Sequence, residues 1–550
     1  MTGETHVKTK YKTMSAKPMC RYGQQCYRKN PLHFQEFDHP SDPNAASTLV
    51  TSDGKSRVSP LSTASSSDNR SITSTVNPNK RLKSSDESVA NKTIDTNIYG
   101  FYLTKVTGID NKYNELNVKA INLKDILSET NGKLLESLQM NYMFEMDWLL
   151  EQYPKQFRSL PMLVVYGSKR DGTATREMQS QTKPYPNIRL FGAHLVDMFG
   201  THHSKMMLLR YDNGIRVVIH TANLIERDWF QKTQGVWISP LFPPLPSTHT
   251  SDADISQTRF KTDLIEYLKS YTSIEINEWI QTIRRHDLSA AKVFLVGSVP
   301  GRHVGADNKC RFGHLKLRRL LSEFGPSAKN VDSSWPAIGQ FSSIGSLGPT
   351  ADKWLTNEFL STLSAVCGVK SLVTKPRLKL IFPSVENVRT CLEGYSGGGS
   401  LPYSSQTHRK QTYLTSYLHS WRSERTGRSI ACPHIKTYTR LSGDNKQMAY
   451  FVLTSANLSK AAWGQLEKND TQLAIKSYEI GVLFIPKLFT NQEFFEISKS
   501  EDSDKLPNNC FPIPYDTPLT PYSLNDKVWT WDTPHTDLPD THGNAWIPQT

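Results

Sequence analysis

One segment of this chain is written twice. The run THHSKMMLLRYDNGIRVVIHTANLIERDW ends at Trp229, and PHIKTYTRLSGDNKQMAYFVLTSANLSKAAW ends at Trp463. Each copy opens on His-x-Lys, at His203 and Lys205 and again at His434 and Lys436. Each runs into a polar turn, near 212–214 and 442–446, and returns along an apolar strand, RVVIH or AYFVL. Each closes on Ala-Asn-Leu, at Asn223 and Asn457, with a tryptophan six residues later. The Lys-to-Asn separations of 18 and 21 residues fit one hairpin with a longer loop in the second copy. The strand residues vary between copies while His, Lys and Asn are kept, which points to a duplicated unit whose polar residues do shared chemistry.

Strand geometry states what that chemistry is. Residues i and i+2 project from one face, so His203 lies with Lys205 and His434 with Lys436. Pairing the halves about a pseudo-twofold gathers two His, two Lys and two Asn around one cleft. Such a set suits a phosphodiester. A neutral imidazole attacks phosphorus and a protonated one supplies a proton to the leaving oxygen. Lysines and asparagine amides hold the nonbridging oxygens as charge builds. By symmetry alone the two histidines could exchange roles. A zinc centre would need three protein ligands and an open position, and each half offers one suitably paired histidine. His202 has Pro433 as its counterpart, and alternation turns it away from Lys205, so the HH pair is not a metal pair.

Strand-like runs at MLVVYG, RVVIHT, KVFLVGS and GVLFIP alternate with helical patterns, giving an α/β or α+β class. KLLESLQMNYMFEMDWLLEQY reads as a helix on the apolar spacing of Leu134, Leu135, Leu138, Tyr142, Met143 and Met146. With 550 residues, two or more domains are expected, and 65 Lys and Arg against 52 Asp and Glu favour a polyanionic partner. No apolar run reaches the roughly 20 residues needed to span a bilayer, and the polar start does not resemble a signal peptide. Seven scattered cysteines are no secreted disulfide framework, so an intracellular, reduced, soluble protein is expected. Residues 1–16 are polar and expected to be disordered. The stretch 41–97, rich in Ser, Thr, Asn and Asp, reads as a flexible linker. It carries a basic cluster, NKRLK at 79–83, that suits nuclear import or a solvated charge run.

These motifs resemble the phospholipase D superfamily and, within it, the tyrosyl-DNA phosphodiesterases. FGTHHSKMM, QKTQGVW, FSSIGSLG, PHIKTY, TSANLSKAAWG, SYEIGVLF and DTHGNAW carry the resemblance, from about Ile98 to the last residues. The Asp of the broader superfamily motif is replaced by Arg210 and Leu441, as it is lacking in the tyrosyl-DNA branch. The resemblance implies two duplicated phospholipase D-like domains, 98–292 and 293–550, each a mixed sheet flanked by helices, with the active site between them. It implies a metal-independent DNA-repair hydrolase, acting on 3′-phosphotyrosyl ends of single-stranded, blunt or nicked DNA left by topoisomerase I. A nuclear, monomeric enzyme follows, with cytoplasmic residence also open. His203 would be the nucleophile that forms a phosphohistidine, and His434 the general acid and then base. Lys205, Lys436, Asn223 and Asn457 would bind phosphoryl oxygens, and Gln234 and Glu479 would orient the histidines. For DNA, Ser342 and Ser343 offer donors to phosphates, and Ser459 and Lys460 lie where a helix amino end does the same. Phe199 is similar to the family's base-stacking aromatic, and Tyr142 and Trp531 to its cleft aromatics. A general nuclease or lipid phosphodiesterase, and an inactive poly(ADP-ribose) scaffold, are the alternative readings.

Near the amino end, Cys20, Cys26, His33 and His39 can hold a structural zinc, which a segment this small needs in order to fold. Their spacing departs from the DNA-reading finger. With Lys17, Tyr22-Gly23, Tyr27-Arg28 and Phe37, the 17–40 segment resembles the poly(ADP-ribose)-binding (PBZ-type) zinc finger. That resemblance implies that Tyr22, Tyr27 and Arg28 hold an adenine and its phosphates.

Overall fold

A computed structural model describes residue 94 and residues 97–115, 119–169, 171–195, 197–246, 256–369, 372–497 and 510–548. Asn91–Thr550 form one compact unit. The candidate finger residues, the 41–97 linker up to residue 93 and the basic cluster at 79–83 lie outside the described residues.

The duplication extends from motif to topology. The first sheet contains β1 (Phe101–Thr104), β2 (Ala120–Ile121), β3 (Leu134–Met140), β4 (Met162–Ser168), β5 (Ile188–His194), β6 (Met206–Tyr211), β7 (Gly214–His220) and β8 (Gly235–Ile238). Its order is β2-β1-β8-β7-β6-β3-β4-β5. The second begins with β9 (Val293–Ser298); β10 (Gly301–Val304) leaves it to pair elsewhere. It continues with β11 (Ala337–Gln340), β12 (Leu378–Ile381), β13 (Leu418–His419), β14 (Thr437–Leu441) and β15 (Gln447–Thr454). After β16 (Gln465–Glu467) and β17 (Gln472–Ile475), which join β10 in a small sheet, β18 (Glu479–Phe484) completes the order β13-β12-β11-β14-β15-β18-β9. Read from the other edge, the first sheet has the same order. β3–β4–β5 and β11–β12–β13 are parallel in each, and the hairpins β6–β7 and β14–β15 antiparallel.

The two sheets share a core. Phe101, Met206, Ile219 and Trp237 of the first pack in one cluster with Phe451, Leu453, Val482 and Phe484 of the second. Gly235 lets the second repeat pack tightly against β8: an added Cβ would lie 2.6 Å from both Ile435 Cδ1 and Leu453 Cδ1. A separate apolar cluster covers the outer face of each sheet, built on Leu149, Tyr153 and Met207 for the first and on Leu317, Trp354 and Tyr438 for the second. No helix among the described residues is long and apolar enough to cross a membrane.

One expected element is corrected. The 133–153 segment is not a single helix: Leu134–Met140 is β3, and only Met146–Gln152 is helical. β3 lies between β4 and β6, and its last four residues are all buried, including Ser137 and Gln139, whose polar ends meet Tyr153 OH at 3.1 and 2.8 Å. The adjacent Leu134 and Leu135 and the four-residue step to Leu138 imitate helical spacing. Asn141 ends the strand by accepting the Tyr142 backbone N–H at 2.8 Å. Tertiary pairing here outweighs the local pattern.

Candidate active site

Both His-x-Lys pairs occupy the extended segment entering the middle strand of their repeat, ahead of β6 and of β14. Lys205 O accepts from His220 N at 3.1 Å and Lys436 O from Thr454 N at 3.1 Å, so the ladder fixes both lysines identically. Each lysine Nζ donates back to its histidine's carbonyl, Lys205 to His203 O at 3.1 Å, and Lys436 makes the same bond to His434 O.

The histidines are then stitched across the repeats. His203 N donates to Tyr478 O and His434 N to Thr233 O, both at 2.9 Å. The residue after each carbonyl meets the ring. Glu479 Oε2 accepts from His203 Nδ1 at 2.9 Å, and Gln234 Oε1 from His434 Nδ1 at 3.1 Å. A proton on Nδ1 leaves Nε2 as the atom available for chemistry in both rings. Two hydroxyls complete the symmetry: Thr221 Oγ1 donates to Gln234 Oε1 at 2.8 Å, and Ser455 Oγ to Glu479 Oε2 at 2.5 Å. Each in turn accepts a backbone N–H at 3.0 Å, from Gly235 and Ile480. The sequence reading named neither hydroxyl, although both stand two residues before the duplicated Asn and an alignment of the copies exposes them.

The asparagines are held differently. Asn457 Oδ1 accepts from Ser342 N (3.0 Å), Ser342 Oγ (3.2 Å) and Ser343 N (3.0 Å), which leaves its Nδ2 to donate into the cleft. Asn223 is fixed through its backbone, with N donating to Asp228 Oδ2 at 2.7 Å and O accepting from Trp229 Nε1 at 2.9 Å. Its Oδ1 is buried with no partner among the described residues.

This cleft is overloaded with positive charge. Lys205 and Lys436 are fully buried. Burial pulls the Lys205 ammonium down to about 8, against the pull of Glu479 and Asp228. Burial and the neighbouring Lys205 hold Lys436 well below the usual lysine range. Burial, then Lys436, Lys205, His203 and Lys232, keep His434 far below an ordinary histidine. His203 is lowered chiefly by burial, with Glu479 opposing. Burial works to raise the Glu479 carboxyl, yet His203, Ser455 and Lys205 together hold it below the carboxylate range. A bound anion favours the charged form of each of these lysines and histidines. Beside the cleft, buried Lys232 pairs with buried Glu393, which also takes Arg227 Nε at 2.5 Å.

His202 serves the scaffold. It is wholly buried, donates Nδ1 to Asn141 O at 3.2 Å and accepts from Tyr271 OH through Nε2 at 3.0 Å. No group of three or more His, Cys, Asp or Glu fit to hold a metal occurs among the described residues.

A family model described as tyrosyl-DNA phosphodiesterase matches residues 100–523. The chain belongs to the tyrosyl-DNA phosphodiesterase family. It is a phosphodiesterase by that membership. The tyrosyl-DNA phosphodiesterase 1 of Drosophila melanogaster is 35% identical over 93% of this chain and 99% of its own length. That of Arabidopsis thaliana is 35% identical over 78% of this chain and 74% of its own. A solved yeast tyrosyl-DNA phosphodiesterase has the same fold, with a TM-score of 0.57 at 20% identity over 78% of this chain and 98% of its own. A PBZ domain model matches residues 17–42, and 23 residues, 4% of each chain, are 70% identical to the human aprataxin and PNK-like factor.

Of the DNA-contact candidates, Phe199 stands 71% exposed with Lys476 Nζ 5.3 Å over its ring, which excludes a core role. Tyr142, 48% exposed, meets the His203 ring edge-on at 5.6 Å between centroids, and Lys205 Nζ lies 5.8 Å from its ring centre. Trp531 is also exposed. Ser342 is buried, and its donors, with the Ser343 N–H, go to Asn457; the Ser343 hydroxyl donates to Pro402 O at 2.7 Å. These serines therefore position the asparagine. Ser459 caps the four-residue helix Lys460–Trp463 by accepting from Ala462 N at 3.1 Å, and Lys460 is half-buried beside it.

Proposed function

We propose that this enzyme hydrolyses the 3′-phosphotyrosyl bond that links DNA to a topoisomerase I remnant, through a phosphohistidine on His203. The observation that carries the reading is the crossed pair of imidazoles, each held at Nδ1 by the opposite repeat, in a cleft that two buried lysines make ready for a phosphate.

His203 Nε2 attacks phosphorus as the tyrosyl P–O bond breaks, and the His434 proton passes to the leaving phenolate oxygen. The same His434, now neutral, takes a proton from water as its oxygen displaces His203 from phosphorus. The products are tyrosyl peptide and a DNA 3′-phosphate. Lys205, Lys436 and the two asparagine amides hold the nonbridging oxygens through both steps. Phe199 and Tyr142 offer stacking faces to the DNA strand beside the site, and Ser459, Lys460 and Trp531 extend that cleft rim. No metal takes part in these steps.

The PBZ segment is assigned to poly(ADP-ribose) through Tyr22, Tyr27 and Arg28, with zinc held by Cys20, Cys26, His33 and His39. That assignment suits a nuclear, monomeric repair enzyme brought to strand breaks. The deciding assay is tyrosine release from a 3′-phosphotyrosyl oligonucleotide in the presence of EDTA. Absence of release from the full-length chain overturns the reading.

A further inference from the structure

The pseudo-twofold that relates the two repeats is broken at one buried charge. Five residues after Asn223 stands Asp228; five residues after Asn457 stands Ala462. Asp228 is 1% exposed. Its Oδ2 accepts the Asn223 backbone N–H at 2.7 Å and lies 3.5 Å from His434 Nδ1. Its carbonyl accepts from Gln234 Nε2 at 3.1 Å. That last bond settles which way the Gln234 amide faces: Nε2 is spent on Asp228, so Oε1 must face Thr221 Oγ1 and His434 Nδ1. One residue thus orients the group that orients His434, and also brings a carboxylate up to the same ring nitrogen.

The two imidazoles need different neighbours. A nucleophile benefits from a carboxylate in direct contact, because the phosphorylated ring is cationic, and His203 has Glu479 at 2.9 Å. An acid that must release its proton is served better by a neutral acceptor in contact and an anion slightly further off. His434 has that arrangement, with Gln234 at 3.1 Å and Asp228 at 3.5 Å. The other charged and titratable groups facing His434 are Lys436, Lys205, Lys232 and His203, all of which oppose its protonation. The Asp228 carboxyl, 3.5 Å from the His434 Nδ1, faces the same cavity and also acts on both lysines.

We propose that Asp228 is a positioning residue for proton transfer, which fixes the Gln234 amide and supplies the negative charge that lets His434 serve as the acid. The assignment rests on the reading of His434 as the general acid. It makes the roles of the two histidines a property of the fold, since Ala462 gives His203 no equivalent.

Leaving groups of different basicity test it in the full-length enzyme. Asp228→Asn keeps an acceptor for the Asn223 N–H and removes the charge. With a 3′-phosphotyrosyl oligonucleotide kcat falls about 10–10²-fold, part of the 10²–10⁴ that a general acid contributes. With a 3′-(4-nitrophenyl) phosphodiester, whose leaving group needs no proton, the loss is about threefold or less on the same basis. The limb of the pH–rate profile set by His434 moves to lower pH by about one unit, a tenfold change in protonation. Asp228→Glu restores the tyrosyl rate in part. In a His434→Ala background the Asp228→Asn change has no further effect on tyrosine release. If the Asn variant does not fold, Asp228→Ser, which also retains an acceptor, carries the comparison. Equal loss on both leaving groups, an unmoved pH limb, or a full additional loss in the His434→Ala background overturns the proposal and leaves Asp228 a packing residue. If the unmodified enzyme releases no tyrosine, the proposed function itself fails, which is a separate result.

Discussion

Glu479, in the second repeat, accepts the Nδ1–H of His203, in the first, at 2.9 Å. His203, the proposed nucleophile, and the carboxylate that sets its tautomer therefore reach each other only when the two sheets are docked. Glu479 is also fixed by Ser455, and its carboxyl is held in the ionised form by His203, Ser455 and Lys205 against the cost of burial. Glu479→Gln keeps the shape and loses the charge. It should slow formation of the covalent intermediate by about 10²–10⁴, the scale of losing a tautomer-fixing carboxylate or a proton-transfer partner. Rapid-quench capture of the enzyme–DNA adduct measures this step directly.

Replacing each histidine separates the two chemical steps. His203→Ala should leave no covalent adduct, because Lys205 and His434 offer no second nucleophile at the same place. His434→Ala should lower turnover by about 10²–10⁴ and let the phosphohistidine accumulate, since the base that activates water is gone. Adduct trapped on a denaturing gel distinguishes them. Adduct in the His203 variant and none in the His434 variant would exchange the roles.

The buried lysines give binding a pH dependence of defined sign. In the free enzyme burial brings Lys205 down to about 8, well below an ordinary lysine. A phosphate in the cleft favours the charged form and raises that value, so binding takes up a proton once the pH passes about 8. Affinity for a 3′-phosphorylated oligonucleotide should be greatest below that pH and fall as pH rises through it. Without ligand the sign reverses: the unfolded chain binds more protons than the folded one between about 8 and the ordinary lysine value, so this group makes the free enzyme more stable as pH rises across that window. The gain in Tm from the product oligonucleotide should therefore shrink above pH 8, read by thermal melts at a series of pH values.

Much of this site was legible because the chain prints it twice. His203 and His434, the lysines and the asparagines stand out from spacing alone, and the same sheet order around both makes the copies structural equivalents. Three things escaped. β3 reads as a helix because Leu134, Leu135 and Leu138 match helical spacing, while Ser137 and Gln139 are buried through a tyrosine, Tyr153, that no local pattern places beside them. The pairing of Gln234 with His434 and of Glu479 with His203 crosses the repeats, and no local pattern records which half a side chain reaches. Asp228 has no counterpart in the second copy, so comparing the copies passes over it. Symmetry revealed what is shared, and the departure from symmetry required coordinates.

The amino-terminal segment should act independently of the cleft. Cys20→Ser with His39→Ala removes half of the expected zinc ligands, and a segment of this size without its metal does not hold a fold. Binding to poly(ADP-ribose) should be lost while tyrosine release from a free oligonucleotide stays unchanged. A filter-binding assay beside the release assay reads both, and polymer binding that survives removes the zinc assignment.

The ion pair behind the cleft predicts where stability is stored. Lys232 and Glu393 are both buried, and Arg227 shares the same carboxylate at 2.5 Å. Burial raises the Glu393 carboxyl, but Lys232 and Arg227 outweigh it and hold the group below the usual glutamate range. A folded-state value below the unfolded one means that this pair stabilises fully above the ordinary glutamate value and loses its contribution as pH falls through the lowered one. Lys232→Met removes one partner and leaves a buried carboxylate with Arg227 alone, which costs about 3–5 kcal/mol by the usual penalty for breaking a buried pair. The loss should be largest near neutral pH and should narrow in acid, where the orphaned carboxylate takes a proton. Urea unfolding of both proteins at neutral and acid pH gives the comparison, and a deficit that does not change with pH would show that Lys232 acts through packing instead of charge.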